Sequence, residues 1–84
     1  MIGVFDSGIG GLTVAKAILE RLPGYDLIYF GDTARTPYGN KSALTVQTYA
    51  RRCADFLISK GARVIIIACN TAASAAAELL ARDY

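Results

Sequence analysis

The sequence predicts an α/β fold, a doubly wound βαβαβα unit in which a parallel three-stranded sheet carries helices on both faces. Three short apolar runs alternate with three segments whose composition or apolar spacing is helical. Glycine or polar residues follow each apolar run, and the connections are short. Strands and helices that alternate in this way form right-handed crossovers between parallel strands, which places helices on both faces of the sheet.

The first predicted strand and helix are separated by a glycine-rich turn. The apolar run Ile2–Phe5 predicts a strand, and the turn Asp6–Gly11 ends it. Apolar residues then recur at helical spacing: Leu12, Val14, Ala15, Ile18, Leu19 and Leu22. Pro23 and Gly24 stop this helix.

The second predicted strand and helix are separated by a longer loop. Leu27–Phe30 predicts the strand, and residues 32–41 read as a loop. Ser42 can cap a helix that runs to about Lys60 and is ended by Gly61. One face of this helix is apolar: Val46, Tyr49, Ala50, Cys53, Phe56 and Leu57.

The third predicted strand leads into a lone cysteine. Val64–Ala68 is a run of five apolar residues, four of them β-branched, which predicts a strand buried on both faces. Cys69 follows at the junction with a helix predicted from about Thr71 to Tyr84. No glycine or proline stops that last helix.

The chain is expected to be part of a larger domain. Its 84 residues fall below the roughly 100 to 200 residues of an ordinary domain. A sheet of three strands also leaves long edges unpaired. We therefore expect an exposed sheet edge that could meet the remainder of the domain, or pair with a second copy in a homodimer or a strand-exchanged assembly.

Composition argues against several classes of partner. Hydrophobic residues make up 54% of the chain and charged residues 19%, which is typical of a folding segment. The nine basic and seven acidic residues are scattered without a Lys/Arg run, so nucleic acid is not an expected partner. The chain has no histidine, and Cys53 and Cys69 do not share a metal-ligand spacing, which argues against a metal site. Without a signal-like amino terminus or an apolar run near about 18 residues, a cytoplasmic setting without a membrane partner is expected.

Polar residues end all three predicted strands. In a parallel sheet the carboxyl ends of the strands meet at one edge, and ligands bind there. We therefore expect these strand-end residues to lie together: Asp6 and Ser7, Gly31 and Asp32, and Cys69, Asn70 and Thr71.

Cys69 is the candidate with the most reactive side chain. The first backbone N–H groups of a helix lack intrahelical partners and carry partial positive charge, which favours a thiolate over a thiol. The alternative is that Cys69 is a small buried hydrophobe at the end of a strand, and both interpretations stay open at this point. Cys53 lies on the apolar helix face and is expected to be a core residue.

The other candidates also have structural alternatives. Asp6 could act as an acid or base or hold an amine, but aspartate in this position also caps turns. Asp32 could bond the backbone of the following loop. Asn70 and Thr71 offer amide and hydroxyl groups beside the thiol, or cap the last helix. Tyr38 is either a pocket wall or part of the loop packing.

The glycine-rich turn is suited to an anion. Gly8, Gly10 and Gly11 partly match a dinucleotide fingerprint, but its third glycine would fall at position 13, which is Thr13. The turn instead allows a tight bend and presents N–H groups at a helix start, which suits a carboxylate. These residues together favour proton abstraction by a positioned thiolate that acts on a charged small molecule. Acyl transfer through a cysteine nucleophile competes, but it ordinarily needs a histidine near the sulfur.

Four motifs in register resemble the amino-terminal part of bacterial glutamate racemases, within the aspartate/glutamate racemase superfamily. The resemblance runs through essentially all 84 residues. The motifs are Val4–Val14, Tyr29–Arg35, Pro37–Ser42 and Ala68–Ala72.

The resemblance implies a cofactor-independent enzyme that interconverts L- and D-glutamate and supplies D-glutamate for peptidoglycan. In that family one cysteine removes the α-proton and a second delivers a proton to the opposite face. Cys69 matches the first cysteine, and Asp6 matches a carboxylate that assists it. The positions matching substrate contacts are Ser7, Tyr38, Gly39, Asn70 and Thr71, and Pro37 and Asn40 match the supporting loop.

The chain departs from the family pattern in one respect. The second cysteine of the family and its neighbouring Thr-His lie in a carboxyl-terminal half that has no counterpart in residues 1–84, and Cys53 cannot replace them from a helix face. We therefore expect an incomplete racemase domain that carries one of two bases and is inactive alone. The alternatives are a non-catalytic module that binds an acidic amino acid, or a related superfamily enzyme acting on aspartate, a hydantoin or a maleate-type substrate.

Overall fold

The computed structural model describes residues 1–8, 10–35 and 37–84. Within these residues the chain forms, in order, β1 (Ile2–Asp6), α1 (Leu12–Arg21), β2 (Leu27–Gly31), two 3-10 turns (Thr33–Arg35 and Tyr38–Asn40), α2 (Ala43–Ser59), β3 (Val64–Ile67) and α3 (Asn70–Asp83). Ile9 of the glycine-rich turn and Thr36 of the predicted loop lie outside the described residues.

The three strands form one parallel sheet with β1 in the centre. The strand order is β2-β1-β3. Phe5 of β1 is paired with Phe30 of β2 on one side and with Ile67 of β3 on the other. All five residues of β1 are buried, because this strand alone has a neighbour on both sides. The predicted parallel α/β sheet is therefore confirmed.

Helices cover both faces of this sheet. Successive residues of a strand point to opposite faces of the sheet, so the side chains of Phe5 and Asp6 lie on different faces. Phe5 belongs to the main apolar core with buried residues of α2 and α3: Val46, Ala50, Cys53, Ala54, Leu57, Ala72, Ala76 and Leu80. The carboxylate of Asp6 meets Gly11 at the start of α1 on the opposite face. The prediction of helices on both faces is confirmed.

A glycine in β1 allows α2 to approach the sheet closely. A Cβ atom on Gly3 would lie 3.0 Å from the Cβ of Ala62 and 3.2 Å from the Cβ of Leu57. Leu57 is fully buried, so this contact lies inside the core. The absence of a side chain at position 3 therefore sets the spacing between β1 and the end of α2.

Helix α2 matches its predicted bounds and caps. The Ser42 hydroxyl accepts a hydrogen bond from the Thr45 N–H at 3.1 Å, which satisfies a free donor of the first turn. Gly61 adopts a φ of 101°, a backbone conformation that L side chains rarely adopt, and ends the helix. No helix among the described residues is long and apolar enough to cross a membrane.

The structure differs from the sequence-based expectation at β3 and in the loop after β2. Val64 is 55% exposed and the rest of β3 is only half-buried, so the prediction of a strand buried on both faces is wrong. The physical reason is that β3 is an edge strand of the sheet. The stretch predicted as a plain loop contains the two 3-10 turns.

We predict that Gly3→Ala lowers the free energy of unfolding by about 1 to 3 kcal/mol, because the new methyl group overpacks the contact with Leu57 and Ala62. Gly24→Ala is the matched control, since a Cβ there would meet nothing within 4 Å. We expect the control to shift stability by less than about 1 kcal/mol. Urea unfolding monitored by circular dichroism measures both changes, and equal stability of the two variants would contradict the close approach of α2.

Candidate active site

The polar ends of the three strands lie at one edge of the sheet, as the sequence predicts. The Asp32 N–H after β2 donates to the Asp6 carbonyl at 2.8 Å. The Ala68 N–H after β3 donates to the Phe5 carbonyl at 2.9 Å. These two hydrogen bonds continue the sheet register past the ends of β2 and β3, so the end of β1 lies between the other two strand ends.

Cys69 is the N-cap of α3. Its sulfur accepts a hydrogen bond from the Ala72 N–H at 3.5 Å, and its thiol also lies 3.5 Å from the Ser7 hydroxyl oxygen. The residue is only 8% exposed. A backbone donor and the positive end of a helix dipole both stabilise negative charge on the sulfur. The structure therefore joins both interpretations, because Cys69 is buried and its sulfur also accepts an N–H group in the first turn of a helix.

The start of α3 differs slightly from its predicted position. The helix begins at Asn70 rather than near Thr71, and Cys69 fills the capping position that the sequence left to Asn70 or Thr71. The sulfur accepts the N–H of the third helical residue, Ala72, and the capping backbone at Cys69 is extended, with φ −95° and ψ 120°. Asn70 is exposed and Thr71 is half-buried in the first turn of α3, next to the sulfur.

Asp6 holds the glycine-rich turn. One carboxylate oxygen accepts the Ser7 N–H at 2.7 Å, and the other accepts the Gly11 N–H at 2.5 Å. A Cβ atom on Gly11 would lie 3.0 Å from the Cβ atoms of Asp6 and Ala68, so only glycine fits without displacing the strand ends. The turn-capping interpretation of Asp6 therefore describes its contacts, and this capping places Ser7 beside the thiol of Cys69.

Tyr29 also supports this turn, and the sequence analysis missed it. Its hydroxyl donates to the Gly8 carbonyl at 2.8 Å. Burial, followed by the charge of Asp6, raises the pKa of the Tyr29 phenol, so the donor keeps its proton. The sequence held a signal for this role. Tyr29 lies two residues before Gly31, so both residues face the same side of the sheet at the end of β2.

The second 3-10 turn lies against the start of α3. A Cβ atom on Gly39 would lie 4.0 Å from the Thr71 hydroxyl oxygen. Tyr38 is 1% exposed, and its hydroxyl donates to Asp32 at 2.5 Å. The Tyr38 side chain is therefore part of the loop packing, and at Gly39 the turn presents its backbone beside Thr71.

The two residues predicted to support this loop lie at the start and at the end of the turn, Pro37 as its N-cap and Asn40 as its last residue. Pro37 and Asn40 are both exposed. The Asn40 amide oxygen accepts a hydrogen bond from the Lys41 ammonium at 3.4 Å. This contact joins neighbouring residues, so it is local to the loop.

Cys53 occupies the core, as predicted. It is 1% exposed, and its sulfur lies 3.8 Å from the Tyr38 hydroxyl and 3.9 Å from the Asp32 carboxylate. Burial raises the pKa of the Cys53 thiol to about 11. Cys53 therefore stays a neutral thiol, whereas Cys69 lies at the strand-end edge. Across residues 1–8, 10–35 and 37–84, no three His, Cys, Asp or Glu side chains cluster so that they could hold a metal ion.

The geometry suits proton transfer at one face of a small anionic molecule. A thiol at the start of a helix, a neighbouring hydroxyl and a glycine-rich turn converge at the same edge. Preorganised backbone donors stabilise charge that develops during a reaction. The arrangement offers one thiol at this edge, because the other thiol of the chain, Cys53, is enclosed in the core.

Known proteins similar to this chain are glutamate racemases. No model of a protein family matches the chain. A glutamate racemase of Aquifex aeolicus is 52% identical over 83 residues, which cover 99% of this chain and 33% of that protein. The crystal structure of glutamate racemase from Thermus thermophilus in complex with β-chloro-D-alanine matches with a TM-score of 0.94 and 54% identity over 99% of this chain and 32% of its own. The chain therefore spans about a third of the length of these relatives.

A further structure shares this fold with a ligand bound. Glutamate racemase from Francisella tularensis, solved in complex with D-glutamate, matches with a TM-score of 0.90 and 53% identity. The match covers 96% of this chain and 31% of that protein. The identities exceed 50% in all three comparisons, so the likeness extends from the backbone to the sequence.

We predict that Asp6→Asn lowers the free energy of unfolding by about 1 to 3 kcal/mol, because an amide can accept only one of the two N–H groups that Asp6 now accepts. Asp26→Asn is the matched control, since Asp26 is exposed and begins no such turn. Urea unfolding compares the two variants. An Asp6→Asn variant as stable as the control would show that the carboxylate does not hold the turn.

We also predict that iodoacetamide labels Cys69 far faster than Cys53 in the folded chain. At pH 8 a thiol with a pKa of about 11 is roughly one part in a thousand thiolate, and burial further blocks the reagent. The labelling rate of Cys53 should rise as the pH rises toward 11, because the raised pKa favours the neutral thiol below that pH. Peptide mass spectrometry measures both rates, and equal labelling at pH 8 would contradict the assignment of the two environments.

Proposed function

We propose that this chain, which is related to the glutamate racemases along its whole length, supplies one side of an active site that interconverts L- and D-glutamate. The observation that supports this most directly is the position of Cys69. Its sulfur caps α3, accepts the Ala72 N–H and lies beside the Ser7 hydroxyl at the strand-end edge. A thiol held in this way is a base aimed at the place where the fold presents its ligand-binding groups.

In the proposed reaction Cys69 acts as a thiolate toward one enantiomer of glutamate. An S–H bond forms, the bond between the α-carbon and its hydrogen breaks, and the electron pair delocalises into the α-carboxylate. Cys69 returns a proton to the same face when the reaction runs in the opposite direction. The proposed reaction uses no cofactor, as the resemblance to the glutamate racemases implies.

The neighbours of Cys69 have defined tasks in this proposal. Ser7 contacts the substrate, and Asp6 positions Ser7 by holding the glycine-rich turn. Asn70 and Thr71, in the first turn of α3, hold the amino acid together with the backbone at Gly39. Because an α-proton is weakly acidic, donors that stabilise the developing negative charge must act together with the base.

Racemisation requires a second base on the opposite face of the substrate. Cys53 cannot serve, because it is enclosed in the core and contacts Tyr38 and Asp32. We therefore assign the second base to a part of a racemase that corresponds to none of these 84 residues. The D-glutamate so formed would serve as a precursor of peptidoglycan, in a cytoplasmic pathway.

The decisive experiment uses a chimera in which this chain replaces the matching third of the Thermus thermophilus racemase. We expect the chimera to racemise glutamate, and Cys69→Ser to lower kcat by about 10²- to 10⁴-fold in both directions, the usual contribution of a general base. Ser74→Ala is the matched control, since Ser74 is exposed on the next turn of α3. Circular dichroism of the product measures turnover from each enantiomer.

Two outcomes would overturn the proposal. A folded chimera that binds glutamate without racemising it would identify the site as a binding module, and calorimetry with each enantiomer detects that binding. Racemisation by the 84-residue chain alone at a normal enzymatic rate, on the order of 10 s⁻¹, would refute the assignment of a single base to this chain.

A further inference from the structure

A buried cluster of polar side chains lies behind the candidate site, and proton transfer at Cys69 does not use it. Asp32 follows β2, Tyr38 belongs to the second 3-10 turn, and Cys53 lies in α2. The Tyr38 hydroxyl donates to Asp32 at 2.5 Å, and the Cys53 thiol lies 3.9 Å from the same carboxylate oxygen. We call these three residues the Asp32 cluster.

The Asp32 cluster is enclosed, so its hydrogen bonds matter. Asp32 is 6% exposed and Tyr38 and Cys53 are each 1% exposed. A buried carboxylate is costly unless hydrogen bonds and an opposite charge compensate it. The Arg35 guanidinium supplies that charge at 3.6 Å from the carboxylate oxygen. The cluster is therefore held by both charge and hydrogen bonding.

Two further contacts fix the side chains that surround the carboxylate. Arg35 lies over the ring of Tyr49, 4.8 Å from its centroid, and the rings of Tyr38 and Tyr49 are 5.5 Å apart. Burial, followed by the hydrogen bond to Asp32, strongly raises the pKa of the Tyr38 phenol. The phenol therefore remains a proton donor to Asp32 at any pH at which the protein works.

The cluster connects the sheet edge to the second 3-10 turn. The backbone N–H of Asp32 donates to the carbonyl of Asp6, so the carboxylate is anchored at the end of β1. The phenol of Tyr38 joins that anchor to the turn, where the next residue, Gly39, lies against Thr71. The residue next to Gly39 is therefore tied by its side chain to the end of the sheet.

We propose that Asp32 is a positioning residue for substrate binding: through the Tyr38 phenol it holds the Tyr38–Asn40 turn against the start of α3, with the Cys53 thiol packed beside the same carboxylate oxygen. This inference rests on the proposed racemase function, because it concerns the wall of the same site. In this proposal Tyr38 acts by fixing the backbone of its turn. The buried Cys53 thiol packs against Asp32 and takes no part in the chemistry.

The test compares Tyr38→Phe and Asp32→Ala in the racemising chimera. Loss of a buried hydrogen bond to a charged group should loosen the turn and raise KM for glutamate about tenfold, with kcat changed by less than about threefold. The double variant should resemble the worse single variant, because both changes remove the same contact. A role limited to overall stability would instead lower the amount of active enzyme and leave KM unchanged.

Tyr25→Phe is the matched control, since the Tyr25 side chain is 60% exposed. Asp32→Asn serves as the conservative variant, because its amide oxygen can still accept the Tyr38 hydroxyl. Its KM for glutamate should therefore lie closer to that of the unchanged chimera than the KM of Asp32→Ala does. An unchanged KM in Tyr38→Phe would overturn the proposal even though the chimera racemises glutamate.

A second measurement does not depend on activity. In nuclear magnetic resonance spectra of the 84-residue chain, Tyr38→Phe should shift the backbone amide signals of Gly39 and Thr71, whereas Tyr25→Phe should leave both in place. Unshifted signals in Tyr38→Phe would overturn the positioning role. A chimera that fails to racemise would refute the proposed function, and the amide signals would still decide whether the Asp32 cluster positions the turn.

Discussion

The parallel pairing of β1 with both of its neighbours is the constraint on which the rest of the structure depends. It places the ends of three strands at one edge, so that Asp6, Asp32 and Cys69 lie within one small region although up to 63 positions separate them along the chain. Because β1 is the central strand, the two hydrogen bonds just past its neighbours' ends both lead to β1 backbone carbonyls. A shift of register at either side would separate the thiol from the turn that Asp6 holds.

The sequence pattern was sufficient to predict the helices and strands and the edge at which the strand ends meet. It was not sufficient to predict how deeply β3 is buried or which side chains form hydrogen bonds. The bounds of α2 follow from Ser42 and Gly61, whose cap and positive φ are local properties. Burial of β3 is not a local property, because it depends on which strands pair with it. An apolar run such as Val64–Ala68 does not indicate how many strands lie beside it. The hydrogen bond from Tyr29 to Gly8 joins residues 21 positions apart, and only the folded sheet brings them together.

The candidate site illustrates the same limit. Sequence reasoning selected Cys69 because it stands between a strand and a helix, and the structure makes it the cap of that helix. Serine, threonine, aspartate and asparagine are the usual caps, so the pattern favoured Asn70 or Thr71 for the capping position. The Asp32 cluster could not be predicted, since Asp32 follows β2 while Tyr38 lies in a 3-10 turn and Cys53 in α2, and the three residues share no spacing.

The division of tasks between the two buried carboxylates follows from their partners. Asp6 is compensated by two backbone N–H groups, so its charge stabilises the turn beside Ser7 and remains next to the reacting edge. Asp32 is compensated by the Tyr38 hydroxyl and by Arg35, so its partners belong to the loop that follows β2. Each carboxylate therefore holds a different wall of the same edge. Asp6 fixes the turn that carries Ser7, whose hydroxyl oxygen lies 3.5 Å from the Cys69 sulfur, and Asp32 fixes Tyr38 in the second 3-10 turn.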